Sequence, residues 1–389
     1  MRVLMLVWTD VATDNRVLRE AETLVAAGHS VHIVGRHIPE EFQPAPGITV
    51  SSAGGSSALK RAAGDRTSRP LPAPARAARW VLMPTHVASA HRAWVQRARA
   101  DAAGRTFDVV HAHDFTALPL GAELAGQHGV PLVYDTHEYW YGRPASGRPT
   151  PLVRRRERIE EARLGSTAAA VITVGQGVAD QLEQLHGWRN VTVVRNTFPP
   201  ADPALRTPAL PESPRGAVYA GRIAPLRDLE TLVTAAAELA PLQITMVGPA
   251  DDTYRARLDA GTTQVLPAVS VEEVDRLLRT AGLALVTLAD RGDNHRLAQP
   301  NKLFHAIRAG VPVVAADIEQ LARVVRQYGI GTLYRPGDAQ SLAGAVREAV
   351  RRYPELLAGV GAAADDLSWT RDGAALVSVY TRLAEGVGA

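Results

Sequence analysis

Cysteine is absent from this chain, which excludes a disulfide framework, a thiolate nucleophile and a cysteine-ligated metal site. Lysine is nearly absent, because only Lys60 and Lys302 contribute to the 43 lysine and arginine residues. No apolar run reaches the roughly 18 residues needed to span a bilayer. The N-terminal residues resemble a first strand without a cleavage site, so we expect no signal peptide and a cytoplasmic location. A net charge of +3 gives no reason to expect a nucleic-acid partner.

The residues that are present indicate two compact domains. A chain of 389 residues with 46% hydrophobic and 21% charged residues is globular and too long for one ordinary core. Strand-like and helix-like segments alternate, beginning with Arg2–Trp8, Arg16–Ala27 and Val31–Val34, which predicts parallel sheets in an α/β fold. Six prolines in residues 195–216 predict a linker. We therefore expect a first domain over 1–198 and a second over 199–368.

Polar side chains follow several predicted strands of the first half. They occupy the stretches Asp14–Arg16, His111–Asp114 and Thr136–Glu138. The loop before Arg16 lacks the glycine cluster of a dinucleotide site. Because ligands of doubly wound folds bind at the carboxyl ends of the strands, these side chains are candidates for a site.

Some of these residues admit more than one interpretation. Asp14 either faces a ligand or caps the first helix, and Asp114 could cap the helix after its strand. His111 and His113 should share one face of a strand, and His113, nearer the edge, is the better candidate for chemistry. Together with His137 they would also suit a zinc-dependent hydrolase, although no ladder of His or Asp follows at later strand ends.

Residues 60–105 are unusually basic, with ten lysines or arginines and only two acids, Asp65 and Asp101. Tryptophans at 80 and 94 interleave with the basic residues. This composition would suit peripheral contact with an anionic membrane or reception of an acidic acceptor. A solvated insertion followed by an ordinary helix would look the same.

The stretch Gln299–Asp317 predicts an anion site at a helix start. Pro300 suits the first helical position, Gly310 suits the helix end, and a buried strand should follow. Free N–H groups at the helix start, with the helix dipole, favour an anion, and Lys302 adds a full charge. Arg222 and Arg227 flank an earlier strand-to-helix turn, where guanidinium groups suit phosphate oxygens. An ordinary surface helix start is the alternative.

These motifs resemble the group 1, family-4 retaining glycosyltransferases of the GT-B fold. GRIAPLRDLETL and PNKLFHAIRAGVPVVA resemble the donor half, and DNRVLREAETLVAAGHSVHIV, VVHAHD, PLVYDTHE and VITVGQGV resemble the acceptor half in the same order. The resemblance implies two Rossmann-like domains that face a central cleft, with a last helix over 369–389 crossing back to the first. It also implies a nucleotide-diphosphate sugar as co-substrate and no metal or other cofactor.

The resemblance further implies roles for individual residues. It places Arg222 and Arg227 on the donor phosphates, although Lys is usual at the second position. It places the backbone groups of Asn301, Lys302 and Leu303 at the diphosphate. It places His113 near the reacting sugar. Arg16 matches an arginine at the start of the first helix in one branch of the family. Glu138 is expected to orient the acceptor.

One departure from the family pattern concerns its pair of glutamates, which falls here on Leu297 and His305. The second glutamate normally holds the ribose hydroxyls, and neutral His305 can accept one hydrogen bond there, not two. Asp290, Asp293 or Glu319 could compensate.

The function expected is transfer of a sugar to a hydroxyl acceptor with retention, for a cell-surface glycan, a lipid carrier or a secondary metabolite. Positioning and stabilisation of the departing diphosphate would drive the chemistry. Three rivals remain open: a catalytically silent GT-B subunit, a GT-B sugar-nucleotide epimerase, and the zinc hydrolase.

Overall fold

The computed structural model describes residues 1–54, 73–143, 150–189, 191–201, 208–258 and 260–387, and only the backbone of 73–86 and 387. The basic segment predicted at 60–105 therefore lies partly outside the described residues. The chain divides into two compact units. Unit 1 comprises 1–173, 181–192 and 375–389, and unit 2 comprises 174–180 and 193–374. The division lies a few residues before the predicted boundary at 198, and residues 369–374 of the last helix group with unit 2.

Unit 1 is built on a seven-stranded sheet in the order β3-β2-β1-β4-β5-β6-β7. All neighbouring pairs from β3 to β6 are parallel. The strands are β1 Arg2–Leu6, β2 Ser30–Gly35, β3 Ile48–Ser52, β4 Val109–His113, β5 Leu132–Thr136, β6 Ala170–Thr173 and β7 Val191–Val193. The helices of the first half are α1 Asn15–Ala26, α2 Ala73–Ala103, α3 Asp114–His128, α4 Pro151–Gly165 and α5 Gln176–His186.

Unit 2 repeats the architecture with a six-stranded sheet in the order β10-β9-β8-β11-β12-β13, all of it parallel. The strands are β8 Gly216–Ala220, β9 Gln243–Val247, β10 Gln264–Leu266, β11 Gly282–Val286, β12 Val313–Ala316 and β13 Gly331–Tyr334. The helices are α6 Leu229–Ala236, α7 Asp252–Arg255, α8 Val271–Ala281, α9 Asp293–Arg296, α10 Asn301–Ala309, α11 Glu319–Tyr328, α12 Ala339–Arg351, α13 Tyr353–Ala363 and α14 Trp369–Val387.

The central strands are apolar on both faces because helices cover both sides of a parallel sheet. β11 and β12 are buried at every position, and so are β4 and β5. In β4 and β5, however, the buried positions include His111, His113 and Asp135. Two adjacent parallel strands with three buried ionisable side chains must satisfy them internally, since burying an unpaired charge is costly.

Local capping confirms one interpretation and corrects others. The Asp14 carboxylate accepts the Val17 N–H and caps α1. Asp114 does not cap α3: it lies in the first turn with φ 61° and accepts the His137 N–H at 3.1 Å. Pro300 is not the first helical residue either. With φ −70° and ψ 146° it is the extended residue that precedes α10.

Strands β3 and β10 and helices α8, α11 and α13 were not predicted. Part of β3 shows the reason, because Thr49, Ser51 and Ser52 lack an apolar pattern. Within the part of the chain that the structure describes, no helix combines the length and apolarity needed to cross a membrane.

Candidate active site

The carboxyl ends of β4 and β5 bring the histidines and a carboxylate of unit 1 together. In the register of these strands His113 lies opposite Asp135, and β1 pairs with β4 on the other side. The first turn of α1 follows β1 and places Arg16 at the same edge. The sequence indicated the edge and the histidines, but not that Asp135 would be the shared partner.

Asp135 is the centre of this cluster. The Arg16 guanidinium donates to both of its oxygens, Nε at 3.0 Å and Nη2 at 2.8 Å. Two imidazoles approach the same carboxylate, His113 Nδ1 at 3.3 Å and His137 Nε2 at 3.2 Å. Burial by itself would raise the pKa of Asp135, but the charges of Arg16 and His137 hold it well below its usual range. Asp135 is therefore a buried anion at neutral pH.

The three histidines of the edge differ in charge. Burial opposes a charge on His137, but the carboxylates of Asp114 and Asp135 prevail and raise its pKa to about 10. Burial lowers the pKa of His113, and lowers that of His111 further, so both are neutral. The two neutral rings stack with centroids 4.3 Å apart. His111 Nδ1 also lies 2.8 Å from the hydroxyl of Tyr380 in α14.

Solvent access separates His113 from its neighbours. Its side chain has no exposed surface, and its Nε2 has no hydrogen-bond partner among the described residues. The side chain of His137 is 17% exposed and that of Glu138 30% exposed. Glu138 lies 3.1 Å from Arg143. At this edge His137 and Glu138 therefore present side-chain surface to solvent, whereas buried His113 contacts His137, with Nδ1 3.1 Å from His137 Nε2.

Glu20, His111, His113 and Asp135 offer donor atoms within 4.8 Å of one another, a spacing that could hold a metal ion. The predicted zinc set of His111, His113 and His137 overlaps with this group at two positions. Arg16 Nε, however, lies 3.0 Å from Glu20 and both Asp135 oxygens are already bonded to the same guanidinium. A cation would have to displace a buried arginine, so the arrangement favours an ion-pair network over a metal site.

In unit 2 the turn between β8 and α6 is held by Asp228. This buried residue adopts φ 58°, and its carboxylate accepts from the Tyr334 hydroxyl at 2.8 Å and from the Gly337 N–H at 3.1 Å. The Thr287 hydroxyl donates to the carbonyl of Arg227 at 2.7 Å. These bonds fix the backbone from which Arg227 projects. Arg222, in the same turn, is exposed.

Lys302 projects from the start of α10 toward this turn. Its Nζ lies 4.9 Å from the centre of the Tyr219 ring. Gly221, with φ 156°, lies beside this side chain, and a Cβ there would be in ordinary contact with Lys302 Cδ at 3.4 Å. Burial, and then the positive charge of Arg227, lower the pKa of Lys302 to about 7. The Lys302 ammonium and the Arg227 guanidinium thus interact unfavourably, and no carboxylate contributes to the pKa shift of Lys302 by raising it.

The start of α10 differs from the expectation in one bond. The Leu303 N–H donates to the Pro300 carbonyl at 2.9 Å, so it is not free for an anion. The N–H groups of Asn301 and Lys302 remain at the helix start, next to the Lys302 ammonium. An anion can therefore bind two backbone donors here instead of three.

His305 has a different environment from the one expected of a ribose ligand. Its ring stacks on Phe198 with centroids 4.9 Å apart, and its Nε2 lies 2.9 Å from Asp275 in α8. Arg308 lies 2.7 Å from the same carboxylate. Leu297 is buried, as its apolar side chain requires. The proposed compensating acids Asp290 and Asp293 both lie within 4 Å of Arg296, and Glu319 accepts from Gln320.

Comparison with known families agrees with these motifs. Residues 13–197 match the Glycosyl transferase 4-like domain, and residues 214–352 match the Glycosyl transferases group 1. The chain belongs to the group 1 glycosyltransferases. In this glycosyltransferase the two matches correspond closely to the two parallel-sheet units.

Relatives share modest sequence identity with this glycosyltransferase. The D-inositol 3-phosphate glycosyltransferase of Geodermatophilus obscurus is 28% identical over 73% of this chain and 68% of its own length. The protein of the same name from Mycobacterium sp. strain JLS is 28% identical over 70% of this chain and 65% of its own. The match thus spans about two thirds of these relatives.

Solved structures show the fold of this glycosyltransferase. Sucrose-phosphate synthase from Thermosynechococcus elongatus has a TM-score of 0.72 at 17% identity, covering 99% of this chain and all of the other. HepE from Anabaena, solved in complex with UDP, has a TM-score of 0.65 at 17% identity, covering 100% of both chains. Each unit accordingly is one Rossmann-like domain of the GT-B fold.

Proposed function

We propose that this protein transfers a sugar from a nucleotide-diphosphate sugar to a hydroxyl acceptor with retained anomeric configuration, in the cytoplasm and without a metal. The observation that carries the proposal is a pair of cations, Lys302 at the start of α10 and Arg227 in the turn between β8 and α6. Burial and Arg227 lower the pKa of Lys302 to about 7, an unfavourable arrangement that a bound diphosphate would relieve. HepE from Anabaena has been solved with UDP-glucose, so a UDP-sugar is the first donor to test.

In this proposal each residue has a limited task. Arg222, Arg227 and Lys302 neutralise the departing diphosphate, together with the N–H groups of Asn301 and Lys302. Glu138 and His137 face the acceptor, and neutral His113 contributes by holding His137 in place. Asp114 and Asp135 keep His137 protonated, and Arg16 holds the Asp135 carboxylate in place. No side chain acts as a metal ligand.

The acceptor class is proposed from chemistry and from the relatives. Inositol 3-phosphate, named in the relatives, is the first small acceptor to test. Lipid-linked acceptors form the second set, and small hydroxylated metabolites form the third.

A catalytically silent subunit is the second candidate, and His305 is the observation that favours it. Its Nε2 faces Asp275 at 2.9 Å, so the imidazole already has a carboxylate partner where the family places a ribose ligand. A silent subunit could still bind a nucleoside diphosphate through Lys302 without turning over a sugar.

The test is incubation of the purified full chain with UDP-, GDP- and ADP-sugars, with and without acceptors, followed by product analysis and NMR of the new glycosidic bond. Transfer with the donor's anomeric configuration supports the proposal, and inversion refutes the retention part. Conversion of donor alone to an epimer would identify an epimerase. Binding without turnover across all donors and acceptors would favour the silent subunit. Metal analysis of the same preparation, with activity after chelation, tests metal independence.

A further inference from the structure

The outward face of α4 carries apolar side chains where a surface helix ordinarily carries polar ones. Among the described residues seven large apolar side chains are strongly exposed, and three of them lie in the first nine positions of this helix. They are Leu152 at 72%, Val153 at 41% and Ile159 at 54% exposure. A soluble domain tolerates single exposed apolar residues, but a group of them on one element marks an interaction surface.

The inward face of the same helix is mixed, since its buried residues are Glu161, Leu164 and Gly165. Buried Glu161 accepts the hydroxyl of Tyr134 at 2.8 Å. Arg154 donates to the backbone carbonyl of Tyr141 at 3.1 Å, and the guanidinium groups of Arg154 and Arg158 lie 5.4 and 5.7 Å from the Tyr141 ring. The helix is therefore held on unit 1 by buried Leu164 and Gly165 near its end, and by the polar contacts of Arg154 and Glu161. Leu152, Val153 and Ile159 remain exposed.

Positive charge accompanies the apolar side chains. Arg155, Arg156 and Arg163 are exposed, against one exposed acid, Glu160. Leu152, Arg156, Ile159 and Arg163 recur at spacings of three and four, so they share one stripe. A stripe that alternates apolar and guanidinium groups fits a surface with phosphate anions above hydrocarbon, because long arginine side chains can reach phosphates while Leu and Ile enter the apolar layer.

We infer that the outward stripe of α4, formed by Leu152, Arg155, Arg156, Ile159 and Arg163, docks this protein on an anionic lipid surface. The 3-10 turn Trp140–Gly142 lies against α4, since Arg154 donates to the carbonyl of Tyr141. In that turn Trp140 is half-buried, with the Arg143 guanidinium 4.2 Å from its ring. Aromatic and arginine side chains of this kind suit the headgroup region. The inference does not depend on the transfer reaction. The proposed membrane-binding surface on α4 is also a different one from the segment 60–105, for which the composition suggested membrane contact.

The experiment is flotation of the full-length protein with vesicles of phosphatidylcholine alone or of phosphatidylcholine with phosphatidylglycerol. The wild type should float with the anionic vesicles and remain behind with the neutral ones, and high salt should weaken binding. The double variant Leu152→Ser/Ile159→Ser should lower the partition coefficient about tenfold or more, because two apolar side chains no longer enter the bilayer. The triple variant Arg155→Gln/Arg156→Gln/Arg163→Gln should lose the part of vesicle binding that high salt weakens.

Two controls make the outcome decisive. Val269→Ser/Val271→Ser removes two other exposed apolar side chains, 38% and 36% exposed, from unit 2. Val87→Ser/Arg92→Gln/Arg97→Gln changes exposed residues of α2, within the segment first suspected. Both should float like the wild type, and thermal unfolding should show every variant folded. The inference is overturned if the wild type ignores anionic vesicles, if the α4 variants float unchanged, or if the control variants lose binding equally.

Discussion

Replacement of Lys302 by methionine separates a phosphate-binding lysine from a structural one. Methionine keeps an unbranched apolar side chain against Tyr219 and Gly221 but removes the ammonium. In the ligand-free protein this charge is unfavourable, because burial and Arg227 lower the pKa of Lys302 to about 7. We therefore expect the ligand-free variant to be as stable as the wild type or slightly more stable.

The pH dependence of that difference follows from the direction of the shift. An unfolded lysine has a pKa of about 10.4. The cost of holding the ammonium in the folded protein is fully present below pH 7 and disappears as the pH rises toward 10. The stability advantage of Lys302→Met should therefore be larger at pH 7 than at pH 10, measured by denaturant unfolding.

Diphosphate affinity should fall in Lys302→Met, although the stability of the ligand-free protein should not. One charge-assisted contact to a phosphate contributes about 1.5–3 kcal/mol, which corresponds to about 10- to 150-fold in Kd. A bound diphosphate also raises the pKa of Lys302. Wild-type binding at pH 8 should therefore take up a proton, and affinity should fall as the pH rises from 7 toward the pKa of the complex.

Isothermal titration calorimetry in buffers of different ionisation enthalpy measures both quantities, with UDP, GDP and ADP as probes. Lys302→Arg should retain most of the affinity but lose the proton uptake, since arginine does not titrate in this range. Lys60→Met, which changes the chain's other lysine, is the matched control and should bind like the wild type. An unchanged Kd in Lys302→Met, or equal proton uptake in all three variants, would refute the phosphate role.

Three further predictions concern stability. Asp135→Asn should lower the free energy of unfolding by about 3–5 kcal/mol, because it leaves the Arg16 guanidinium and a protonated imidazole without their buried anion. Since the pKa of Asp135 is depressed in the folded protein, the contribution of its carboxylate to stability is present above about pH 4 and is lost as the pH falls. A variant that unfolds like the wild type in urea at pH 7 would contradict this. Asp228→Asn should cost about 1–3 kcal/mol through its bonds to the Tyr334 hydroxyl and the Gly337 N–H, and it should also weaken diphosphate binding by loosening the turn; equal melting temperatures would exclude that role. His305→Glu would place a second carboxylate about 3 Å from Asp275, so the variant should be less stable at pH 8 than at pH 5 relative to wild type, and a pH-independent difference would show that this pair is not close.

The sequence was most informative where local chemistry determines local structure. Alternation of apolar strands and amphipathic helices predicted an α/β fold, and the two family matches confirm the family that the motifs resembled. Gly310 ends α10 with φ 75°, and Asp14 caps α1, as residue type alone suggested. These features depend on a few neighbouring residues, so the sequence contains the information that decides them.

Predictions failed where a partner distant in sequence decides the outcome. Nothing near Asp135 in the sequence points to Arg16, which lies 119 residues away and becomes its partner only through the order β1-β4-β5. The prediction that His305 contacts the ribose did not anticipate the packing of α10 on α8, which brings Asp275 within 2.9 Å of its ring. The sequence did not single out the apolar residues of α4, because the burial of Glu161 and the exposure of Leu152 and Ile159 are properties of packing.

By itself the sequence determined that the chain would form parallel α/β sheets, that a helix would start close to Pro300 with a lysine in its first turn, and that histidines would lie near the ends of adjacent strands. Tertiary structure alone decided the charges of these groups. His113 and His137 are the same kind of side chain, yet the first is neutral and the second protonated, because burial dominates one and two carboxylates dominate the other. Electrostatic free energy depends on distance and solvent access, and the fold sets both.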